Sequence, residues 1–239
     1  MWPFSKKTTI AASGTLAGAT DHHSHILPGV DDGVETMAES LRILDTYEAL
    51  GVKSLWLTPH IMEDIPNNPQ KLQARFAQLA AAYAGSIELH LAAEYMIDNN
   101  LHKLLSENSE LLPIGTRGKH ILVETSYYNA PMKMRETLQL IKSLGYHPLL
   151  AHPERYMYLD NAEYTRLHGE GVKFQLNLAS LAGGYGPVVK KKALWLLSNG
   201  LYNVAGSDLH SEESIEFITK CKLGKQNMEL LKRLLQNRI

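Results

Sequence analysis

Three histidines and an aspartate fall within five consecutive residues, Asp21-His22-His23-Ser24-His25. Residues two apart in a β-strand point to the same face of the sheet. A strand here would therefore turn Asp21, His23 and His25 to one side and His22 to the other. Two neighbouring imidazoles can bind one metal ion. The spacing alone is a weak indication, because surface and core histidines adopt it too.

Side chains of the same ligand types follow most of the later apolar runs. They are His60, Glu94, Glu124, His152, Asp208 and His210. The carboxyl ends of the strands in a parallel barrel meet at one mouth, where active sites lie. In an open sheet, the ends of the outer strands would lie too far apart for their side chains to share one metal cluster. The recurrence therefore predicts a barrel with a shared metal site, although each residue alone could be a helix cap, an ion-pair partner or a buried histidine.

The elements that must position these residues alternate between short apolar strands and amphipathic helices. Strands are predicted over 17–25, 52–57, 87–92, 121–123, 149–151, 173–176 and 201–205. Helices are predicted over 37–48, 70–84, 131–144, 161–169, 187–199, 211–221 and 226–237, with Thr36 or Asp32 as the cap of the first. The alternation indicates a parallel sheet of about seven strands with helical crossovers. We expect one domain over 20–239 after an N-terminal extension, 1–19.

Composition and charge argue against several classes of protein. The chain has 239 residues with 24 Lys and Arg against 25 Asp and Glu, so it lacks the basic excess of a non-specific nucleic-acid binder. Cys221 is the only cysteine, which excludes an intramolecular disulfide and a thiolate-rich zinc site. It lacks the arginine of a Cys-x5-Arg phosphate loop, so we expect a structural role. No apolar run approaches the roughly 18 residues of a membrane-spanning helix. Trp2 and Phe4 are expected in a loose tail, although they could touch a membrane or a partner.

The predicted ligands are oxygen and nitrogen donors without sulfur, which favours Mn, Fe or Zn. The carboxylate candidates are Asp21, Glu94, Glu124 and Asp208. Together with five histidines they exceed the needs of one ion, so two or three ions sharing a bridging carboxylate are expected. Such clusters activate water and bind phosphoryl oxygens. The sequence therefore predicts a metal-dependent hydrolase.

Six short motifs carry a resemblance to a known family. They are Asp21-x-His23-x-His25-Ile26-Leu27-Pro28-Gly29-Val30-Asp31-Asp32-Gly33, Thr58-Pro59-His60, Ala93-Glu94-Tyr95, Val123-Glu124, His152-Pro153-Glu154-Arg155-Tyr156 and Gly206-Ser207-Asp208-Leu209-His210. Across about 20–215 the chain resembles the polymerase-and-histidinol-phosphatase (PHP) superfamily. Within it, the chain is most similar to the bacterial manganese-dependent tyrosine phosphatases of capsule and exopolysaccharide operons. The pairing of Leu-Pro-Gly-x-Asp-Asp-Gly with His-Pro-Glu-Arg is specific to that branch.

This resemblance implies a distorted (β/α)7 TIM-like barrel and a site for two or three Mn²⁺ ions. By resemblance, one ion is held by His23, His25, Glu94 and Asp208. A second is held by Glu94, Glu124 and His152. The third is held by Asp32, His60 and His210, with Asp31 as the alternative to Asp32.

Arg155 is the predicted phosphate-binding residue, because a guanidinium can donate to two phosphoryl oxygens. It is grouped as catalytic with Asp208 and His210, although no general acid is assigned. The alternative for Arg155 is a salt bridge to Glu154 or Glu163. Family members often carry a second arginine after the last Asp-x-His motif, but 211–219 contains none. A lysine among 190–192 could substitute.

Five tyrosines near strand ends could line a substrate cleft by stacking on an aromatic ring. They are Tyr127, Tyr128, Tyr156, Tyr158 and Tyr185, with Tyr127 and Tyr156 as the predicted substrate contacts. Ordinary core or interface packing is the alternative. A flexible loop containing Asn177, Ser180 and 183–186 is expected to border the mouth.

The resemblance implies hydrolysis of phosphotyrosine in the tyrosine-rich tail of a cognate bacterial tyrosine kinase that regulates polysaccharide export. A cytoplasmic location follows, with recruitment to the inner face of the membrane by that kinase. No nucleic-acid partner and no stable membrane insertion are expected, and the oligomeric state stays open. The alternatives are a histidinol-phosphatase-like enzyme, a PHP nuclease and a non-catalytic metal-binding scaffold.

Overall fold

A computed structural model of the protein describes residues 7–115 and 119–239. The strands are β1 Thr8–Thr9, β2 Thr20–Asp21, β3 Ser54–Leu57, β4 His60–Ile61, β5 Glu88–Leu91, β6 Glu94–Met96, β7 His120–Glu124, β8 His147–Ala151, β9 Lys173–Asn177, β10 Val204–Gly206 and β11 Lys222–Leu223. The helices are α1 Ile10–Ser13, α2 Met37–Ala49, α3 Pro69–Ala82, α4 Asn99–Ser106, α5 Met134–Ser143, α6 Asn161–Gly169, α7 Leu178–Ala182, α8 Gly186–Ser198, α9 Glu212–Thr219 and α10 Lys225–Gln236. A 3-10 turn covers Pro153–Arg155.

A curled sheet of parallel strands forms the centre of the fold. Six strands pair in the order β10-β9-β8-β7-β6-β4, and three more in the order β2-β3-β5. β3 runs into β4, and β5 runs into β6, after breaks of two residues each. The amide of Ala92 donates to the carbonyl of Leu57 at 2.9 Å, so the two interrupted strands remain in contact across the breaks. The predicted parallel α/β alternation is confirmed in this form.

The first and last parts of the parallel set lie side by side. The amide of His22, just after β2, donates to the carbonyl of Ala205 in β10 at 3.2 Å. Ser24 forms a parallel bridge with Leu209. The segment predicted as one strand over 17–25 is regular only at Thr20–Asp21, and beyond it the pairing continues as separate hydrogen bonds and one isolated bridge.

Apolar side chains fill both faces of the central strands. The inner cluster consists of Trp56, Ala92, Ile114, Leu122, Leu149, Ala151 and Val204. A larger cluster lies between the sheet and the helices. Parallel strands buried on both faces read as continuous apolar runs, which is why β7 and β8 were predictable from sequence.

The capping of α2 separates two candidate roles for nearby residues. The hydroxyl of Thr36 accepts a hydrogen bond from the amide of Glu39 at 3.3 Å. Thr36 is therefore the N-cap of this helix. Asp32, the alternative cap in the sequence, is left to contribute to the mouth of the sheet.

Three helices of the described residues were not predicted, and one of them, α1, is a single turn. α4 begins after Asp98, whose carboxylate accepts from the amide of Leu101 at 2.9 Å. α7 begins after Asn177, whose side chain accepts from the amide of Ala179 at 2.7 Å. The expectation of a flexible loop is therefore wrong over Leu178–Ala182, because the Asn177 cap and buried leucines stabilise a short helix there.

The chain before β2 packs against the C-terminal part of the fold. β1 pairs antiparallel with β11, and the fully buried Ile10 donates its amide to the carbonyl of Cys221 at 2.9 Å. Burial raises the pKa of the Cys221 thiol. Trp2 and Phe4, expected in a loose tail, lie outside the described residues. Across 7–115 and 119–239, every helix is too short or too polar to cross a membrane.

Candidate metal centre

The predicted ligands come together at the carboxyl ends of the parallel strands. They are His23, His25, Asp32, His60, Glu94, Glu124, His152, Asp208 and His210. Most of them are buried, whereas the Asp32 side chain is 64% exposed. All of them except His23 and His25 line a pocket of about 310 Å³ that also contacts Tyr127, Arg155, Tyr185 and Ser214. The curled sheet thus brings residues from across the chain to one place.

The first group joins the two histidines after β2 to two carboxylates. Nε2 of His23 lies 3.0 Å from Nε2 of His25. Oε2 of Glu94 lies 3.2 Å from His23 and 3.3 Å from His25. Oδ1 of Asp208 is 3.4 Å from each of these nitrogens. These are the four residues that the resemblance assigns to one ion.

The second group is centred on Glu94 and Glu124. Nε2 of His152 lies 3.1 Å from Oε1 of Glu94 and 3.9 Å from Oε2 of Glu124. Nδ1 of His60 lies 3.2 Å from a carboxylate oxygen of each glutamate. His60, assigned by resemblance to the third ion, is therefore also close to the second group.

The third group lies at the exposed rim. Oδ1 of Asp32 lies 3.5 Å from Nε2 of His60 and 3.6 Å from Nε2 of His210. His25 completes a set of four whose ligand atoms could surround one ion. Nδ1 of His210 lies 2.9 Å from the carbonyl of Asp208 and donates to it, which leaves Nε2 free as a ligand.

Hydrogen bonds behind the ligands fix the orientation of their rings. Nδ1 of His25 donates to Oδ2 of Asp31 at 2.8 Å, and the amide of His60 donates to the same oxygen at 3.0 Å. Asp31 therefore orients ligands, whereas its neighbour Asp32 faces the third group. Asp21 plays a similar supporting part, because it accepts from the amides of His23 and Ser207 at 3.1 and 2.8 Å. The structure does not bring Asp21 into the ligand groups, so its candidacy as a metal carboxylate is corrected.

The interior of the site is polar in a way that suits cations. Oε2 of Glu94 is buried and has no hydrogen-bond partner among the described residues, although three imidazole nitrogens lie within 3.3 Å of it. Buried polar atoms are normally paired. Histidine and carboxylate donors that converge on a shared oxygen fit a cluster of divalent ions with a bridging carboxylate.

The carboxylates of the site have unequal proton affinities. Burial, together with the charges of Glu94 and Asp208, raises the pKa of Glu124 well above its usual value. Burial acts the same way on Glu94 and Asp208, but His23 and the other imidazoles outweigh it and hold both pKa values below their usual range. A cation among the three carboxylates would favour the ionised form of each.

Two ligands lie on unusual backbone. The φ angles of His152 and Asp208 are 32° and 54°, in the left-handed region. That region is unfavourable for side chains with a Cβ, and such residues cluster at functional sites. The turns after β8 and β10 therefore hold these side chains toward the pocket at the expense of local backbone strain.

Arg155 lies in the pocket wall between two aromatic rings. Its guanidinium donates to Oδ2 of Asp208 at 2.9 Å. The guanidinium carbon lies 4.3 Å from the ring centre of Tyr127 and 4.1 Å from that of Tyr185. The salt-bridge alternatives do not hold. Glu154 is buried against Tyr202 and Asn177, and Glu163 pairs with Arg135 and Arg166.

The predicted tyrosines have different environments. Tyr127 and Tyr185 line the pocket. Tyr156 is fully buried, and its hydroxyl accepts from the amide of Thr125 at 3.1 Å. Its ring stacks against those of Tyr127 and Tyr158. The structure therefore does not bring Tyr156 to the pocket surface, and its direct contact with substrate is corrected to support of Tyr127.

Two residues of β9 support the site: Gln175, which was not predicted, and Asn177, which was expected in a loop that borders the mouth. Oε1 of Gln175 lies 3.0 Å from Nδ1 of His23. Nδ2 of Asn177 donates to Oδ2 of Asp208 at 2.7 Å. The sequence signal for Gln175 was its place between the apolar residues Phe174 and Leu176, since a buried polar residue is the informative exception in a core.

None of the three lysines offered as a second phosphate ligand lines the pocket. Lys192 donates to the carbonyls of Tyr156 and Leu159 at 2.7 and 2.8 Å. Lys190 lies 3.5 Å from the carbonyl of Ala182. Among the described residues that line the pocket, Arg155 is the one arginine or lysine.

Comparison with known proteins agrees with the motifs. The family model for capsular polysaccharide synthesis, CpsB/CapC, matches 19–232. The tyrosine-protein phosphatase YwqE of Bacillus subtilis is 28% identical over 206 residues, covering 84% of this chain and 80% of that protein. The tyrosine-protein phosphatase CpsB of Streptococcus pneumoniae is 29% identical over 210 residues, covering 81% of this chain and 84% of that protein. The family resemblance predicted from the motifs is confirmed.

Solved structures agree on the fold. One structure comes from a study of YwqE of Bacillus subtilis and CpsB of Streptococcus pneumoniae, which are described as metal-dependent tyrosine phosphatases. It superposes with a TM-score of 0.76 at 24% sequence identity, and the match covers 92% of this chain and 95% of that chain. Histidinol phosphate phosphatase from Lactococcus lactis was solved with zinc, L-histidinol and phosphate. It gives a TM-score of 0.51 at 14% sequence identity, and the match covers 92% of this chain and 93% of that chain. Both likenesses show the fold, an α/β arrangement with a curled set of parallel strands.

Proposed function

Because the chain belongs to the CpsB/CapC family of capsular polysaccharide synthesis, we propose that its metal centre hydrolyses phosphotyrosine in a protein substrate. The enzyme is a metal-dependent tyrosine phosphatase, as its relatives from Bacillus subtilis and Streptococcus pneumoniae are named. The observation that carries the proposal is the position of Arg155. Its guanidinium adjoins Asp208 of the ligand cluster, in a pocket walled by Tyr127 and Tyr185.

The proposed cofactor is two or three Mn²⁺ ions, which the three ligand groups would hold. Glu94 is common to the first and second groups, His60 to the second and third, and His25 to the first and third. The nitrogen and oxygen donors also suit Fe or Zn. Divalent ions in such a site supply an acidified water and stabilise the charge of phosphoryl oxygens.

The protein's own part is to hold the ester against these ligands. A guanidinium has five N–H donors, so Arg155 can keep its bond to Asp208 and still donate to phosphoryl oxygens. Tyr127 and Tyr185 both lie against it, which restricts the movement of the guanidinium. The tyrosine leaving group has a pKa of about 10. It therefore departs with little help from a general acid, and Asp208 and His210 serve as positioning groups in this scheme.

The proposed scaffold of the site is a distorted barrel of seven strands. This count treats β3 with β4, and β5 with β6, as single interrupted strands and places β2 beside β10. It is supported by the hydrogen bonds across the breaks and by the contact between His22 and Ala205. An interrupted strand can turn its last residues inward, which suits His60 and Glu94.

The substrate of the proposal is the tyrosine-rich tail of a cognate bacterial tyrosine kinase that acts in polysaccharide export. The family's part in capsular polysaccharide synthesis supports this choice. The enzyme would then act in the cytoplasm, at the inner face of the membrane where the kinase holds its tail.

The test measures phosphate release from a phosphotyrosine peptide, L-histidinol phosphate and DNA, together with metal content. We expect turnover of the phosphotyrosine peptide, its loss after chelation and its return with Mn²⁺. Glu94→Gln should remove both activity and bound metal, whereas Glu88→Gln, at an exposed position in β5, should change neither. Phosphotyrosine turnover that survives complete metal removal, or a preference for L-histidinol phosphate, would refute the proposal.

A further inference from the structure

A second groove of about 390 Å³ adjoins the metal pocket. The two share Tyr127, Arg155 and Tyr185. Beyond these shared residues, the groove is lined by Tyr128, Met157 and Val188, among others. We call it the Tyr128 groove. A ligand bound at the metals can therefore extend into it without leaving the protein surface.

The lining of the Tyr128 groove is unusually apolar for an exposed surface. Tyr128 is 76% exposed and Val188 is 52% exposed, and Met157 is exposed beside them. Single exposed apolar side chains are ordinary, whereas a contiguous set beside a ligand pocket marks an interaction site. Aromatic residues and methionine are also enriched where proteins bind partners.

Charge decides what the groove can accept. Arg155 is the one charged residue in its lining, and that guanidinium is already bound to Asp208 and in contact with two tyrosine rings. The groove therefore offers no carboxylate for a basic side chain and no uncommitted cation for an acidic one. An apolar or aromatic side chain matches it.

We propose that the Tyr128 groove binds an apolar or aromatic residue that neighbours the phosphotyrosine in the substrate chain. The inference rests on the proposed function and adds sequence selectivity to it. An extended chain advances about 3.3–3.6 Å per residue, and the two cavities share three residues. A side chain one or two positions from the phosphotyrosine is thus within reach of the groove.

Val188 is the position at which to test the groove. It lies in the first turn of α8, where an acidic residue is compatible with the helix. It is exposed, and it does not line the metal pocket. Val188→Asp should therefore fold and place a charge in the groove, and Tyr128→Ser provides a second change. Met132→Asp is the matched control, because Met132 is fully exposed and lies outside the groove.

The assay compares two phosphotyrosine peptides whose flanking residues are either Leu and Tyr or Asp and Gly, with para-nitrophenyl phosphate as a substrate that cannot reach the groove. Burying one apolar side chain corresponds to about a tenfold preference. We expect wild type and Met132→Asp to favour the apolar peptide about tenfold in kcat/KM. Val188→Asp and Tyr128→Ser should lose most of this preference and keep turnover of para-nitrophenyl phosphate.

The outcomes separate the two claims. Equal kcat/KM for both peptides in the wild type would overturn the role of the groove while leaving the phosphatase intact. A preference lost in Met132→Asp but kept in Val188→Asp would also overturn it, as would a dimer that Val188→Asp dissociates without any effect on peptide choice. No turnover of any phosphotyrosine substrate by metal-loaded wild type would refute the proposed function itself, and the groove's role with it.

Discussion

Oε1 of Gln175 accepts a hydrogen bond from Nδ1 of His23 at 3.0 Å and another from the amide of His152 at 3.1 Å. An amide oxygen can only accept, so Nδ1 of His23 carries its hydrogen, and in the neutral ring Nε2 has the lone pair that a metal ion beside Glu94 and Asp208 would bind. One side chain from β9 therefore orients a ligand of the first group and anchors the backbone of a ligand of the second.

Replacing Gln175 should weaken metal binding. Gln175→Leu keeps the approximate size and removes the acceptor, and the loss of such a supporting bond lowers metal affinity about 10–100-fold. Competition with a chromophoric chelator measures this affinity directly. Gln175→Glu retains an acceptor and should stay closer to the wild type. Equal metal affinity of Gln175→Leu and wild type would show that the contact only fills space.

Arg155→Lys should lower kcat/KM for a phosphotyrosine peptide by about 10²–10³, because an ammonium cannot reproduce the fork of donors that stabilises charge in the transition state. Bound metal should change little, since Arg155 is not among the ligands. Steady-state kinetics with metal analysis on the same samples measures both. Arg166→Lys on α6, which loses only an exposed pair with Glu163, is the control. Unchanged kcat and KM in Arg155→Lys would remove Arg155 from the site.

His120 should make the protein less stable in mild acid. Burial, with a smaller contribution from His147, lowers the pKa of His120 to about 4, whereas an unfolded histidine titrates near 6.5. Between about pH 6.5 and pH 4 the unfolded chain binds a proton there that the folded chain does not, so stability falls as the pH falls. His120→Gln should flatten the decline of Tm over this window. Parallel curves for the variant and the wild type would contradict the assignment.

The sequence was most informative where burial and chemistry coincide. β7 and β8 are buried on both faces and read as apolar runs, so the ligands that end or follow them, Glu124 and His152, could be assigned to strand ends. The breaks in the strands that carry His60 and Glu94 were not predictable. A two-residue departure from the ladder depends on contacts with distant chain segments rather than on local propensity.

The roles of the residues that support the ligands could not be predicted from the sequence. Asp31 and Asp32 are adjacent carboxylates, and only the fold turns one toward Nδ1 of His25 and the other toward the rim. Tyr156 is fully buried whereas Tyr127 is only partly buried, because the 3-10 turn after β8 carries Tyr156 into the core. Pattern and spacing locate a site, whereas the division of labour within it depends on packing.

The left-handed backbone of His152 and Asp208 sets stability against activity. Each such conformation costs on the order of 1–3 kcal/mol, and glycine adopts it with little penalty. In the metal-free protein, glycine at His152 would relieve that strain, whereas glycine at Asp208 would also leave Arg155 and Asn177 without their acceptor. The turn at His152 therefore works against the stability of the metal-free fold, and a variant selected for heat resistance alone would be free to lose this histidine.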